Sequence, residues 1–302
     1  MQAGFDASRY DQLANMMPLQ RWLPRSWRQP PTLPDALWQS TIGAQPYLRA
    51  LTNSEQQRLR LLSGHFLLEK EFHGAHGLAI SDGMALTIAA QACLPLLHLP
   101  GPGSTRLSDA PLSSLDWYDD FVGIVVQPGA AVADRRITDA SGVVHHYRET
   151  LAGEAMQGGP VMLSWADVAQ APWVAEAGSN VVIHEFIHKM DMRGTARGEP
   201  ADGAPDWDSA CLGSLRGNAA RTHWRDTMSH AFSTFREALN MAERFGGEKP
   251  WLDPYGATQP GEFFAVTCEA YFVNRLRFEQ EFPALVALYD GFFRPETKQP
   301  GI

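Results

Sequence analysis

Two histidines four residues apart with a glutamate between them, His184-Glu185-Phe186-Ile187-His188, are the residues of this chain best suited to hold a metal ion. Four residues is about one helical turn, so in a helix both imidazoles leave one face and can bind one Zn²⁺, with Glu185 beside them. The chemistry of that arrangement is hydrolysis. A bound ion lowers the pKa of a water toward about 7 and polarises a carbonyl, and Glu185 serves as general base. By chance alone, a chain of this length and composition contains the pattern on the order of 1–2 times in a hundred. A third ligand is needed before the motif carries a function.

The metzincin continuation would put a glycine at position 191 and a histidine at 194, and the chain has Asp191 and Gly194 instead. The third ligand must come from elsewhere. In the segment from Tyr255 to Glu269, Pro260 marks a helix start, and Glu262 and Glu269 follow seven residues apart. Two turns put both carboxylates on one face, about 10 Å apart along the axis. One is expected to be the ligand and the other a partner that supports the site. Asp191 has two readings, orienting a ligand histidine or satisfying a helix end. Tyr255, after Asp253-Pro254, reads by itself as a turn aromatic. Cys268 reads as a packing thiol because no base partner is identifiable, and the remaining histidines are assigned no metal.

The elements that must position these groups follow from periodicity. Val181-Val182-Ile183 leads apolar into the motif, as a buried helix requires. Thr52-Asn53-Ser54-Glu55 is a capping box for a helix that carries Leu59, Leu62 and Phe66 and is expected to run through Glu71. Ser81 or Asp82 caps a second helix that Pro95 ends. Short apolar runs at 121–126, 143–144 and 161–163 predict strands. Residues 194–220, with five glycines and two prolines, predict a long loop bordering the site. Helices are expected at 224–244 and 260–276. The fold class is α+β, with a small mixed sheet, the motif helix and a helical N-terminal part. Residues 1–50, with Pro30-Pro31 and Pro34, are expected to be an irregular arm, 51–105 a helical part, 106–293 the catalytic region packed with it as one domain, and 294–302 a flexible tail.

Composition narrows the class. With 44% hydrophobic residues, nine Trp, 15 Phe and 20% charged residues, the 302-residue chain is expected to bury a sizeable core. A net charge of −9 gives no electrostatic reason to expect nucleic acid or an anionic membrane as partner. Cys93, Cys211 and Cys268 form no CxxC pair and leave an odd thiol, which suits a reducing compartment. No signal peptide or spanning apolar run is evident, and the expected location is cytoplasmic.

The stretch from His184 to Asp191 followed by Tyr255-x6-Glu262-Phe-Phe-Ala-Val resembles the bacterial Mlc titration factor A family of peptidases, and its Tyr-x6-Glu element is similar to that of the anthrax lethal factor protease domain. Gly159 to Trp165, Leu51 to Phe66 and Leu94 to Leu97 extend the resemblance over roughly 45–293. It implies a zincin-like fold with one Zn²⁺ on His184, His188 and Glu262, Glu185 as general base, Tyr255 as donor to the transition state and Glu269 behind the ligands. It also implies that an extended peptide substrate pairs with Val161 to Trp165 as an edge strand. The implied function is a zinc-dependent peptidase, either an aminopeptidase or a narrow endopeptidase. The alternative is a regulatory protein that sequesters a transcriptional repressor, with cleavage secondary. The 193–221 loop and the arm before residue 45 follow no pattern of that family.

Overall fold

A computed structural model describes residue 30 and residues 32–104, 112–138, 144–195, 201–207 and 210–295; of the side chains of 131–138 and 144–151 only the strand register is described. Among the described residues the first elements are α1 (Asp35–Ala44) and α2 (Pro46–Arg49), so the irregular arm expected to residue 50 fails over this stretch. Proline is the reason. Pro34 is the N-cap of α1 and Pro46 opens α2, positions where a missing N–H and a fixed φ favour a helix start rather than a break. The capping box of Thr52 and Glu55 forms at the head of α3 (Asn53–Glu69). That helix stops two residues before the expected Glu71, because Lys70 turns extended and sends Nζ to the carbonyl of Phe121 at 2.7 Å. The chain then enters an unexpected strand, β1 (Glu71–Gly74). Ser81 caps α4 (Asp82–Cys93).

The middle of the chain builds the sheet. β2 (Gly123–Gln127) is followed by an antiparallel ribbon of β3 (Ala131–Thr138) and β4 (Val144–Leu151), then by β5 (Gly153–Ala155) and β6 (Val161–Ser164). The four-stranded sheet has the order β1-β2-β6-β5, with β1, β2 and β6 parallel and β5 antiparallel to β6. Val161–Ser164 is therefore an inner strand, and the edges are β1 and β5. This corrects the expectation that the 161–165 segment offers a free edge: β2 takes one side of it and β5 the other.

After α5 (Trp165–Val174), Asn180 caps α6 (Val181–Arg193), the helix that carries the histidines. The expected long loop is shorter than predicted, because the hairpin β7 (Cys211–Leu212) and β8 (Leu215–Arg216) leads into α7 (Gly217–Phe245), which buries Ala220 and Trp224. The expected 260–276 helix divides at Asn274 into α8 (Pro260–Val273) and α9 (Arg275–Glu281), with the Asn274 side chain capping the second; α10 (Pro283–Phe293) follows. The flexible tail expected at 294–302 falls mainly on 296–302, outside the described residues.

Buried apolar side chains from Leu33 to Phe293 form one cluster. Two aromatic groups within it set the site. Phe186, on the far side of α6 from the histidines, packs on Tyr118 at 4.9 Å, Phe66 at 5.6 Å and Phe121 at 5.8 Å. Phe264 of α8 meets Trp224 at 5.3 Å, and Trp224 meets Trp207 at 5.3 Å. Rings of this size each contribute about 2–3 kcal/mol on burial, enough to fix the rotation of both helices about their axes.

Candidate metal centre

Helix α6 puts His184 and His188 on one face, with Nε2 atoms 3.1 Å apart. Glu262, in the first turn of α8, brings Oε2 to 3.0 Å from His184 Nε2 and 3.2 Å from His188 Nε2. A tetrahedral Zn²⁺ with bonds of about 2.0–2.1 Å separates its ligand atoms by about 3.3 Å. The triangle has nearly that size, and two nitrogens with a carboxylate oxygen are a donor set that suits zinc. Among the described residues, this is the group of three ligating side chains whose atoms converge.

Charge accounts for the protonation of the triangle. Burial pulls His184 down, but Glu269 and Glu262 outweigh it and hold its pKa well above the ordinary 6.5. His188, buried and next to a charged His184, lies below the ordinary value despite Glu262. Burial would raise Glu262, yet the two histidines hold it well below the usual carboxylate range. A cation placed here would displace the proton carried by His184 Nε2.

Glu185 lies beside the triangle, not in it. Burial raises it, His184 lowers it, and Glu262, Glu269 and Glu154 raise it again, so that its pKa is pushed up to about 8. Edge strand β5 crosses directly against it: a Cβ added to Gly153 would stand 2.5 Å from Glu185 Oε1. Only glycine fits between strand and carboxylate. Tyr255 lies on the turn Pro254–Ala257, fixed by Asp253 accepting from the Tyr255 N–H at 2.9 Å, with its ring 6.2 Å from that of His184. It is 39% exposed, so its phenol stands at the mouth of the site.

Glu262 and Glu269 both reach His184, from opposite sides. Glu269 Oε1 is 2.6 Å from Nδ1, while Glu262 faces Nε2. The imidazole spans the two helical turns between the carboxylates. Asp191 touches neither histidine: its hydrogen bonds come from the backbone N–H groups of Asp202, Gly203 and Ala204 at 3.0–3.3 Å. The carboxylate thus ties down the backbone of residues 202–204, which is neither of the two readings. Gly203, at φ 79°, has no room for a Cβ, which would stand 2.6 Å from the Pro260 carbonyl oxygen, and its own carbonyl accepts from Trp224 Nε1 at 2.8 Å. This part of the expected loop is anchored beside α8 and walls a cavity of about 630 Å³ that none of the site side chains lines.

Sequence reasoning missed three supports. Gln259 Nε2 donates to Glu262 Oε1 at 3.1 Å, orienting the carboxylate. Lys189, wholly buried, pairs with Asp120 at 2.6 Å, donates to the Met156 carbonyl at 2.8 Å and lies 4.5 Å from the Phe121 ring, clamping α6 to the turn after β5. Asn180 was readable as a helix cap, since a short polar residue stands before an apolar run; its other bonds were not.

The family model described as "Glucose-regulated metallo-peptidase M90" matches residues 19–294. Proteins named Mlc titration factor A are similar over most of their length. That of Enterobacter sp. (strain 638) is 30% identical over 90% of this chain and 92% of its own. That of Salmonella arizonae is 31% identical over 88% and 93%, and that of Klebsiella pneumoniae 30% over 87% of each.

Proposed function

Because the chain belongs to the Glucose-regulated metallo-peptidase M90 family, we propose that it is a zinc-dependent peptidase of zincin-like architecture, in which His184, His188 and Glu262 hold one Zn²⁺ and Glu185 is the general base. The observation that carries this reading is the triangle of two Nε2 atoms and one carboxylate oxygen, 3.0–3.2 Å on each side. Zinc held there supplies a polarised carbonyl and a water of lowered pKa. Glu185 takes the proton of the attacking water and delivers it to the leaving amine. In the metal-free site burial and the neighbouring carboxylates push its carboxyl up to about 8, and a cation beside it would favour the ionised form that a base needs. Gly153 confines it on the side of the sheet edge. The Tyr255 phenol donates to the developing oxyanion, and Glu269 sets the orientation of His184.

An extended peptide substrate adds to β5, the edge strand that abuts Glu185, by backbone hydrogen bonds. Attack at a free N-terminus is the narrower form of this reading. The three cysteines are free, which supports a cytoplasmic setting. The relatives' name supports a second reading, in which the chain binds a repressor protein and hydrolysis is secondary. Glu185 favours the first, since it adds no bond to the metal and serves only chemistry.

The test is hydrolysis of a peptide panel with free and blocked N-termini by zinc-loaded protein and its Glu185→Gln variant. The variant is expected to keep zinc and lose about 10²–10⁴-fold in kcat. Full activity in that variant would remove the proposed mechanism.

A further inference from the structure

Behind the candidate metal centre, three buried polar side chains from distant parts of the chain meet. Tyr47 on α2, Gln91 on α4 and Asn180 at the cap of α6 form a closed triangle. Asn180 Nδ2 donates to Gln91 Oε1 at 2.7 Å and to the Tyr47 hydroxyl at 2.8 Å, and that hydroxyl donates to Gln91 Oε1 at 3.1 Å. The remaining amide groups are also used: Asn180 Oδ1 accepts from the Ile183 N–H at 2.9 Å, and Gln91 Nε2 donates to the Thr87 carbonyl at 3.2 Å. This satisfaction fixes the rotation of both amides.

Burying three polar side chains is costly, and apolar residues would fill the same space without that cost. The helix cap explains only Asn180 Oδ1. What the triangle holds still is the Asn180 main chain, whose N–H donates to Glu269 Oε2, joined by the Ser179 hydroxyl at 3.2 Å. With Oε2 occupied on that side, Oε1 is left to face His184 Nδ1 at 2.6 Å. The line therefore runs from Tyr47 and Gln91 through Asn180 and Glu269 to the imidazole.

We propose that Tyr47 and Gln91 are positioning residues for the metal ligand His184, acting through Asn180 and Glu269; the role rests on the zinc reading above. A group one step beyond the carboxylate acts more weakly than the carboxylate itself, whose loss costs 10–100-fold in metal affinity, so removal of the triangle weakens zinc by about 3–10-fold.

The variants are Gln91→Leu, which removes both acceptor roles, and Tyr47→Phe, which removes one hydroxyl and keeps the ring. Ser63→Ala is the control, since that buried hydroxyl donates to the Leu59 carbonyl and its other partner is the Cys93 thiol, neither of which belongs to the triangle. Two readouts are taken. Competition with a chromogenic chelator gives zinc affinity, and ¹⁵N-edited spectra of zinc-free protein follow the exchange-protected His184 Nδ1–H proton. The expected result is weaker zinc and a broadened or exchanging Nδ1–H signal in Gln91→Leu, a smaller change of the same kind in Tyr47→Phe, and neither in Ser63→Ala. Wild-type affinity with a sharp, protected signal in Tyr47→Phe and in folded Gln91→Leu would overturn the proposal. If the wild type itself binds no zinc, the hydrolytic reading falls, while the zinc-free spectra still decide whether the triangle positions His184.

Discussion

The two histidines of the candidate metal centre share one helix, yet its two ends hold them by different means. At the N-terminal end His184 is oriented by a partner, with Glu269 on Nδ1 and a bonded network behind that carboxylate. At the C-terminal end His188 Nδ1 is buried with no hydrogen-bond partner among the described residues, and the residues around it, Lys189 and Asp191, grip the backbone of neighbouring segments instead. One end is tuned through the ligand and the other through the position of the helix. Damage at the first should therefore appear in metal affinity, and damage at the second in stability.

The largest effect expected from this division is at Lys189. Lys189→Met strips the buried partner from Asp120 and from the carbonyls of Met156 and Gly159, and should destabilise the fold by about 3 kcal/mol, the low end for a broken buried pair because the Asp120 side chain is 28% exposed. Denaturant unfolding of the zinc-free protein checks it. Zinc affinity in the folded fraction should hardly move, and a large affinity loss would break the comparison. Next is Glu269→Gln, which should weaken zinc about 10–100-fold by chelator competition, with a much smaller change in zinc-free stability.

The pH dependence sharpens the same contrast. Folded-state pKa values are raised for His184, from 6.5, and for Glu185, from 4.5 to about 8. The stability these groups contribute is complete below their unfolded values and lost as pH rises through the folded ones. Zinc-free protein should thus lose Tm steadily as pH rises to about 8 and beyond. Zinc takes the place of the His184 proton, so the Tm gain on adding zinc should grow between pH 6 and 8. A gain that shrinks would contradict the assignment. The smallest effect is expected at Asp191→Asn, about 1 kcal/mol of stability from weakened bonds to residues 202–204, with zinc affinity unchanged.

Much of the site could be read from spacing. His184 and His188 needed only the helical period, and Pro260 marked the start of the helix that carries the two candidate glutamates, while Glu262 as the ligand came from the family resemblance. The two glutamates could not be resolved by spacing alone, because rise along an axis does not show that one imidazole, with nitrogens on both sides, reaches both. Lys189 was illegible for a different reason: a lysine in a helix reads as solvated, and its burial depends on Asp120, 69 positions earlier in the chain. Gly153 carries no pattern at all, and its role follows from the approach of strand and carboxylate. The edge strand was misplaced because an apolar run such as 161–163 marks a buried strand, and the short, glycine-led β5 has too little side chain to register as a strand.

X-ray absorption at the zinc edge of the loaded protein tests the central claim most directly. The account predicts four-coordinate zinc with two histidine nitrogens and light-atom neighbours at about 2.0–2.2 Å, and loss of that shell in Glu262→Ala. A sulfur scatterer at about 2.3 Å, or an unchanged shell in Glu262→Ala, would contradict it.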